Sequence, residues 1–179
     1  VGYDGNMRVQ IDVSQLNALN AYRGVGVYTD LLFQHLRHLK TSDTFSLTTE
    51  RTVERPDLIH YPYFDLFFHT LPIKKHTKTI VTIHDVIPLV FPEHYRPGMK
   101  GSIRFLQQLL ALNTVDAVIT DSVCSKKDIA KYLQFPAEKI YVVHLAENPL
   151  LHAVSKQDVE TVLEKYSISK KYLLYIWEM

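Results

Sequence analysis

The stretch Thr79–Pro92 (TIVTIHDVIPLVFP) limits the possible folds more than any other part of the chain. Ile80, Val81 and Ile83 make an uncharged β-branched run, the pattern of a strand buried on both faces. The run ends at His84-Asp85, and Pro88 and Pro92 keep the chain from continuing as a regular element. An imidazole and a carboxylate are therefore expected where a buried strand opens into a loop. In open α/β sheets ligands collect at that end of the strands, so His84 is expected to face a ligand cleft.

The rest of the chain alternates strand and helix signals. Met7–Val13 alternates apolar and polar residues and predicts the first strand, with Asp12 near its end. A polar loop leads to Arg23-Gly24-Val25-Gly26-Val27-Tyr28-Thr29. Leu31, Leu32, Leu36 and Leu39 then recur at helical spacing, which predicts a helix starting close to Gly26. Short strands are expected at Thr44–Thr49 and Leu58–Tyr61. Ile103, Leu106, Leu109 and Leu110 mark an amphipathic helix from about Lys100 to Asn113. Ala117–Thr120 is the next buried strand. Ser125 with Asp128 resembles a capping box, and Ile129, Tyr132 and Leu133 predict a core-facing helix that Pro136 stops. Ile140–Val143 is a further strand. Ser155 with Asp158 repeats the capping signal before Val159, Val162, Leu163 and Tyr166. Tyr172–Ile176 (YLLYI) is a last strand of buried type. The sum predicts a doubly wound α/β fold, a Rossmann-like parallel sheet with helices on both faces.

Composition narrows the function classes. At 179 residues, 46% hydrophobic and 22% charged, the chain can bury a sizeable core. A net charge of +1 argues against an overall electrostatic grip on nucleic acid. The single cysteine, Cys124, reads as a small buried or half-buried residue and not a nucleophile. It cannot form an internal disulfide, so a cytoplasmic location is expected, with the inner face of a membrane open as an alternative. His60, His144 and His152 are scattered, and no metal-ligand spacing is found. Residues 1–6 read as a leader, 7–150 as the main domain, and 151–179 as a linker helix and the first strand of a second domain. YLLYI with no sheet to join would expose apolar surface, so a further domain is expected to complete the molecule.

Three features allow more than one reading. Gly24 and Gly26, before a helix start, suit a phosphate contact through backbone N–H groups. Gly24-x-Gly26-x-x-Thr29 also approaches the dinucleotide fingerprint, but about ten residues separate it from the strand. The same glycines could merely shape a turn. Tyr63–Pro72, rich in aromatics, is either a short helix packing into the core or an apolar lip. As a lip it would meet a greasy acceptor or a bilayer surface, helped by Lys74, Lys75 and Lys78. Asp85 either joins the site or caps a turn, and Ser122, Ser125 and Lys126 either line a cleft or cap a helix.

In order along the chain, IDVSQLN, RGVGVYT, VTIHDVIPLVFPEHY, DAVITDSVCSKKDIAKYLQFPAEKIYVVHLAEN and KYLLYI resemble the N-terminal half of family 4 glycosyltransferases of the GT-B fold. The resemblance implies retaining transfer of a sugar from a nucleotide-diphosphate donor to a glycan or lipid-linked acceptor hydroxyl. It implies no metal and no cofactor beyond that donor substrate. The donor nucleotide would be held mainly by a C-terminal domain. By motif, His84 would hydrogen-bond the transferred sugar, and Gly24, Gly26 and Asp85 would approach the donor phosphates or sugar. Arg23, Ser122, Ser125 and Lys126 would lie beside the cleft, and Ala146–Pro149 matches an interdomain hinge. The non-catalytic alternative is a stand-alone sugar- or lipid-binding module.

Overall fold

A computed structural model describes residues 6–14, 24–49, 55–146 and 153–174. The chain divides into two compact units, Val1–Leu145 and Ala146–Met179. Among the described residues the first unit holds six strands: β1 (Arg8–Ile11), β2 (Thr44–Leu47), β3 (Leu58–Tyr61), β4 (Lys78–Thr82), β5 (Ala117–Thr120) and β6 (Ile140–Val142). All pair in parallel, in the order β2-β1-β3-β4-β5-β6. Among the described residues the α-helices of this unit are α1 (Gly24–Arg37), the single turn α2 (Ile87–Val90), α3 (Gly98–Leu112) and α4 (Val123–Tyr132).

From β1 the chain moves outward to β2, then returns past β1 and runs steadily from β3 to β6. With right-handed crossovers, this reversal puts α1 on one face and α3 and α4 on the other. The fold is therefore the doubly wound one expected, and its direction changes between β1 and β3. Side chains alternate across each strand. Val81, Ile83, Val118 and Ile140 join Ala111, Leu112 and Ile129 in one buried cluster on the α3/α4 face. The α1 face of the same strands is more polar, with His60 and Thr82 buried beneath Tyr28. The uncharged run of β4 is explained by its place, with three strands on one side and two on the other.

Several details differ from the sequence expectation. Tyr63–Pro72 forms no helix. Asp65 Oδ1 instead accepts the N–H groups of Phe67 (2.7 Å) and Phe68 (3.1 Å), and Thr70 Oγ1 accepts that of Asp65 (3.0 Å). Side-chain oxygens thus replace helical hydrogen bonds, while Phe64, Leu66 and Leu71 still reach the core. The buried amide of Gln108 in α3 holds this loop. Its Oε1 accepts from Thr70 N (3.2 Å) and Oγ1 (2.9 Å), and its Nε2 donates to Leu71 O (3.3 Å).

In α3 the core face is formed by Gly101, Gln108, Ala111 and Leu112, with Phe105 and Leu109 beside them. Ile103, Leu106 and Leu110, expected to share the core face with Leu109, point to solvent. The helix has two apolar sides, and periodicity alone does not say which one packs. α4 is capped one turn earlier than Ser125-x-x-Asp128 suggests: Ser122 Oγ accepts from Ser125 N at 3.0 Å. Cys124, in that first turn, is exposed and not buried.

The second unit contains α5 (Lys156–Lys165), capped as expected by Ser155, whose Oγ accepts from Asp158 N at 3.2 Å. The expected strand at Tyr172–Ile176 is not formed over Tyr172–Leu174, which is exposed and pairs with no described strand. Tyr175 and Ile176 lie outside the described residues, as do 147–149 of the expected hinge.

Gln108→Leu keeps roughly the volume of the side chain but leaves the buried Thr70 N–H without its acceptor. A loss of about 1–3 kcal/mol is expected, read as a lower urea midpoint with faster proteolysis between residues 63 and 75. An unchanged midpoint would show that the amide does not hold the loop.

Candidate functional site

Pairing between β4 and β5 sets Thr82 beside Ile119. Two residues further on, past the ends of both strands, the same register sets His84 beside Asp121. His84 Nδ1 lies 2.7 Å from Asp121 Oδ2, and both side chains are half-buried. An ionised carboxylate can only accept, so Nδ1 carries the proton and, in the neutral ring, Nε2 offers a lone pair. Helix α1 reaches this point through Tyr28. Its ring stands edge-on to that of His84, centroids 4.8 Å apart at 90°, and its hydroxyl is 3.2 Å from Thr82 Oγ1. Thr82 Oγ1 is also 2.8 Å from His60 Nε2 on β3. Beyond β6, His144 Nδ1–H donates to the backbone carbonyl of Asp121 at 3.0 Å. His60, Thr82, Tyr28, His84, Asp121 and His144 are thus linked along the carboxyl edge of four strands.

Burial sets the protonation states on the inner side of this group. Desolvation, and secondarily the neighbouring His84, lowers His60 to about 4, so it is neutral at pH 7. Burial raises the Tyr28 phenol, against its bond to Thr82 and with the charge of Asp121, so the hydroxyl keeps its proton. Nε2 of His84 is itself shielded from solvent and has no hydrogen-bond partner among the described residues. An unpaired buried polar atom costs about 1–3 kcal/mol, which an incoming hydroxyl would recover. The expectation that the imidazole looks openly onto a cleft is corrected to this extent: the ring is at the rim, but its free nitrogen is covered.

The other expected site residues divide by position. Gly24 and Gly26 both lie inside the first turn of α1 and not in a loop before it. Gly24 is exposed, with open space where a Cβ would stand, and Gly26 is buried. About 6 Å of helical rise separates Gly24 from Tyr28, whose ring meets His84. No acidic residue occupies the first turn, leaving the positive end of the helix dipole without an intrahelical counter-charge. Thr29, in the third position of the near-dinucleotide pattern, is buried and its Oγ1 donates to Val25 O at 2.8 Å.

Asp85 turns back on its own loop, accepting from Ile87 N at 2.9 Å. Ser122 and Ser125 bond one another at the α4 cap, one residue from Asp121. Lys126 is not directed into the rim, since its Nζ donates to Ile140 O at 2.7 Å. Arg23 lies outside the described residues. Among the described residues no cluster of three or more His, Cys, Asp or Glu could hold a metal ion. Asp121, Tyr28, His60 and His144 were not expected at the site. A signal existed only for Asp121, which follows a buried strand just as His84-Asp85 does.

Comparison with known proteins agrees with this architecture. A family model described as Glycosyltransferase Family 4 matches residues 13–146. The O-antigen chain mannosyltransferase B of Escherichia coli is 29% identical over 105 residues, covering 57% of this chain and 27% of that protein. The match thus spans about a quarter of the relative's own length.

His60 yields a pH prediction. Its pKa is about 6.5 when unfolded and about 4 when folded, so between these values the unfolded chain binds more protons. Its contribution to stability is therefore lost as pH falls from about 6.5 towards 4, by at most about 1.4 kcal/mol per pH unit. Urea unfolding at pH 7, 6 and 5 should show a shallower decline for His60→Gln than for the unaltered chain. Equal slopes would assign the acid sensitivity to other groups.

Proposed function

Because the chain belongs to glycosyltransferase family 4, we propose that it forms the acceptor-side half of a retaining enzyme. That enzyme moves a sugar from a nucleotide-diphosphate donor to a hydroxyl of a glycan or lipid-linked acceptor. The observation that carries this reading is the His84–Asp121 pair held against the first turn of α1 by Tyr28. In the transfer, the bond from the anomeric carbon to the diphosphate breaks with its electrons on the phosphate. The acceptor oxygen bonds that carbon on the same face, and its proton leaves with the departing phosphate. Negative charge grows on the leaving group, and backbone N–H groups at Gly24 and Gly26 can stabilise it without a metal. Asp121 fixes the His84 tautomer, leaving Nε2 as the acceptor for a sugar hydroxyl once the groups that cover it move aside. Asp85, Ser122 and Ser125 would support the rim through the turn and the α4 cap that they hold, and Arg23 would lie beside it. The Escherichia coli relative is a mannosyltransferase by name, and this supports a mannosyl donor as the first to test.

A separate donor-binding half is part of the proposal. The chain by itself should transfer no labelled mannose from any nucleotide-diphosphate mannose. Joined to a donor-binding half, it should do so. In the active combination, His84→Ala is expected to lower kcat on the order of 100-fold, and Asp121→Ala about tenfold, with the urea midpoint of each variant measured alongside. Full-rate transfer by the chain alone would remove the division of labour, and an unchanged rate in His84→Ala would remove the imidazole from the site. Sugar binding without transfer in any combination would favour a non-catalytic binding module.

A further inference from the structure

Met99, Ile103, Leu106 and Leu110 follow at spacings of four, three and four residues and so form one stripe along α3. They are 83%, 55%, 60% and 59% exposed. The stripe extends over about 16 Å of helix on the side opposite Gly101, Gln108 and Leu112, which face the core. Arg104 stands between this stripe and the loop, its guanidinium 5.4 Å from the ring centroid of Phe68, which is itself exposed. The loop runs beside α3: Phe67 meets Phe105, Thr70 meets Gln108, and Lys75 Nζ bonds Ala111 O.

Charge identifies what covers this apolar surface. Residues 66–78 and 94–115, which build the loop and the helix, contain six of the chain's 20 Lys and Arg and none of its 19 Asp and Glu. Lys75 is engaged at the end of α3. Lys100 and Arg104 lie on α3 itself, which carries no carboxylate, while Asp65, Glu93 and Asp116 border the two segments, in a chain of net charge +1. A second copy of the chain would bring the same cations against them. A surface of anionic phospholipid supplies both an apolar interior for the stripe and negative charge for its rim.

We propose that the outer side of α3, with Phe68 and Ile73 of the adjoining loop, docks on an anionic bilayer as an interfacial helix. None of the described helices is long and apolar enough to cross a membrane, so the contact is peripheral. The proposal does not depend on the transfer reaction and is tested without it.

Co-sedimentation of the 179-residue chain with vesicles of phosphatidylcholine alone, and with 30% phosphatidylglycerol (about 30 mol%), reads binding directly. Binding to the anionic vesicles is expected, weakened by salt, with little to the neutral ones. Lys100→Gln and Arg104→Gln should each weaken it about fivefold. Leu106→Glu, at an exposed position, should abolish it while leaving circular dichroism and the urea midpoint unchanged. Absence of binding to either vesicle, equal binding to both, or full binding by Leu106→Glu would overturn the proposal. So would a concentration-dependent dimer in solution that Leu106→Glu dissociates, which would assign the face to a second copy.

Discussion

The backbone ladder between β4 and β5 is the interaction on which the candidate site depends. Two parallel strands paired as Ile80 with Ala117 and Thr82 with Ile119 carry His84 and Asp121 out of the sheet at the same level. The continuation is visible in the bond from Ile83 N to Ile119 O at 2.9 Å. A slip of one residue would move every side chain of β4 to the opposite face and separate the pair. The core prevents that slip, because Val81, Ile83 and Val118 would leave a fully buried cluster. Burying each such side chain is worth about 1.5–3 kcal/mol, and three together outweigh the single hydrogen bond from His84 to Asp121, worth about 1.5–3 kcal/mol. Packing therefore sets the geometry of the pair, and the pair does not set the packing.

The two faces of the sheet take different parts in this. The α3/α4 side is apolar and closely filled, and it resists rearrangement. The α1 side holds a chain of polar contacts from His60 through Thr82 to Tyr28, ending at His84 and Asp121. Such a network is stable only if each member has a partner. His60 satisfies this by remaining neutral. Among the described residues, the buried side-chain polar atom left without a partner is Nε2 of His84. Within the proposed reaction, that deficit lies where a substrate hydroxyl would enter.

Helix α3 shows a second way in which tertiary structure assigns a role. Its inner side includes Gly101, Gln108 and Ala111, and its outer side carries four larger apolar residues. A Cβ on Gly101 would stand 2.7 Å from Pro97 Cβ, so the small residue is required where the helix approaches its own entry. Close approach of backbone selects small residues on the core side, and the larger side chains are left facing outward. Hydrophobicity alone therefore points to the wrong side of this helix.

The alternating pattern of buried-type strands and helical stretches determined, from the sequence alone, the parallel doubly wound class and the positions of all six observed strands. It also placed His84 at a strand end, because the β-branched run and the two prolines leave few other conformations. The capping residue of α5 was legible for the same reason: Ser155 and Asp158 act within a single turn. What acts over longer separations was not legible. Asp121 is 37 residues from His84, and Tyr28 is 54 from Thr82. Which strand lies beside which, in what register, and which side of α3 meets the core are decided by packing the whole sheet at once, and no local pattern contains that information.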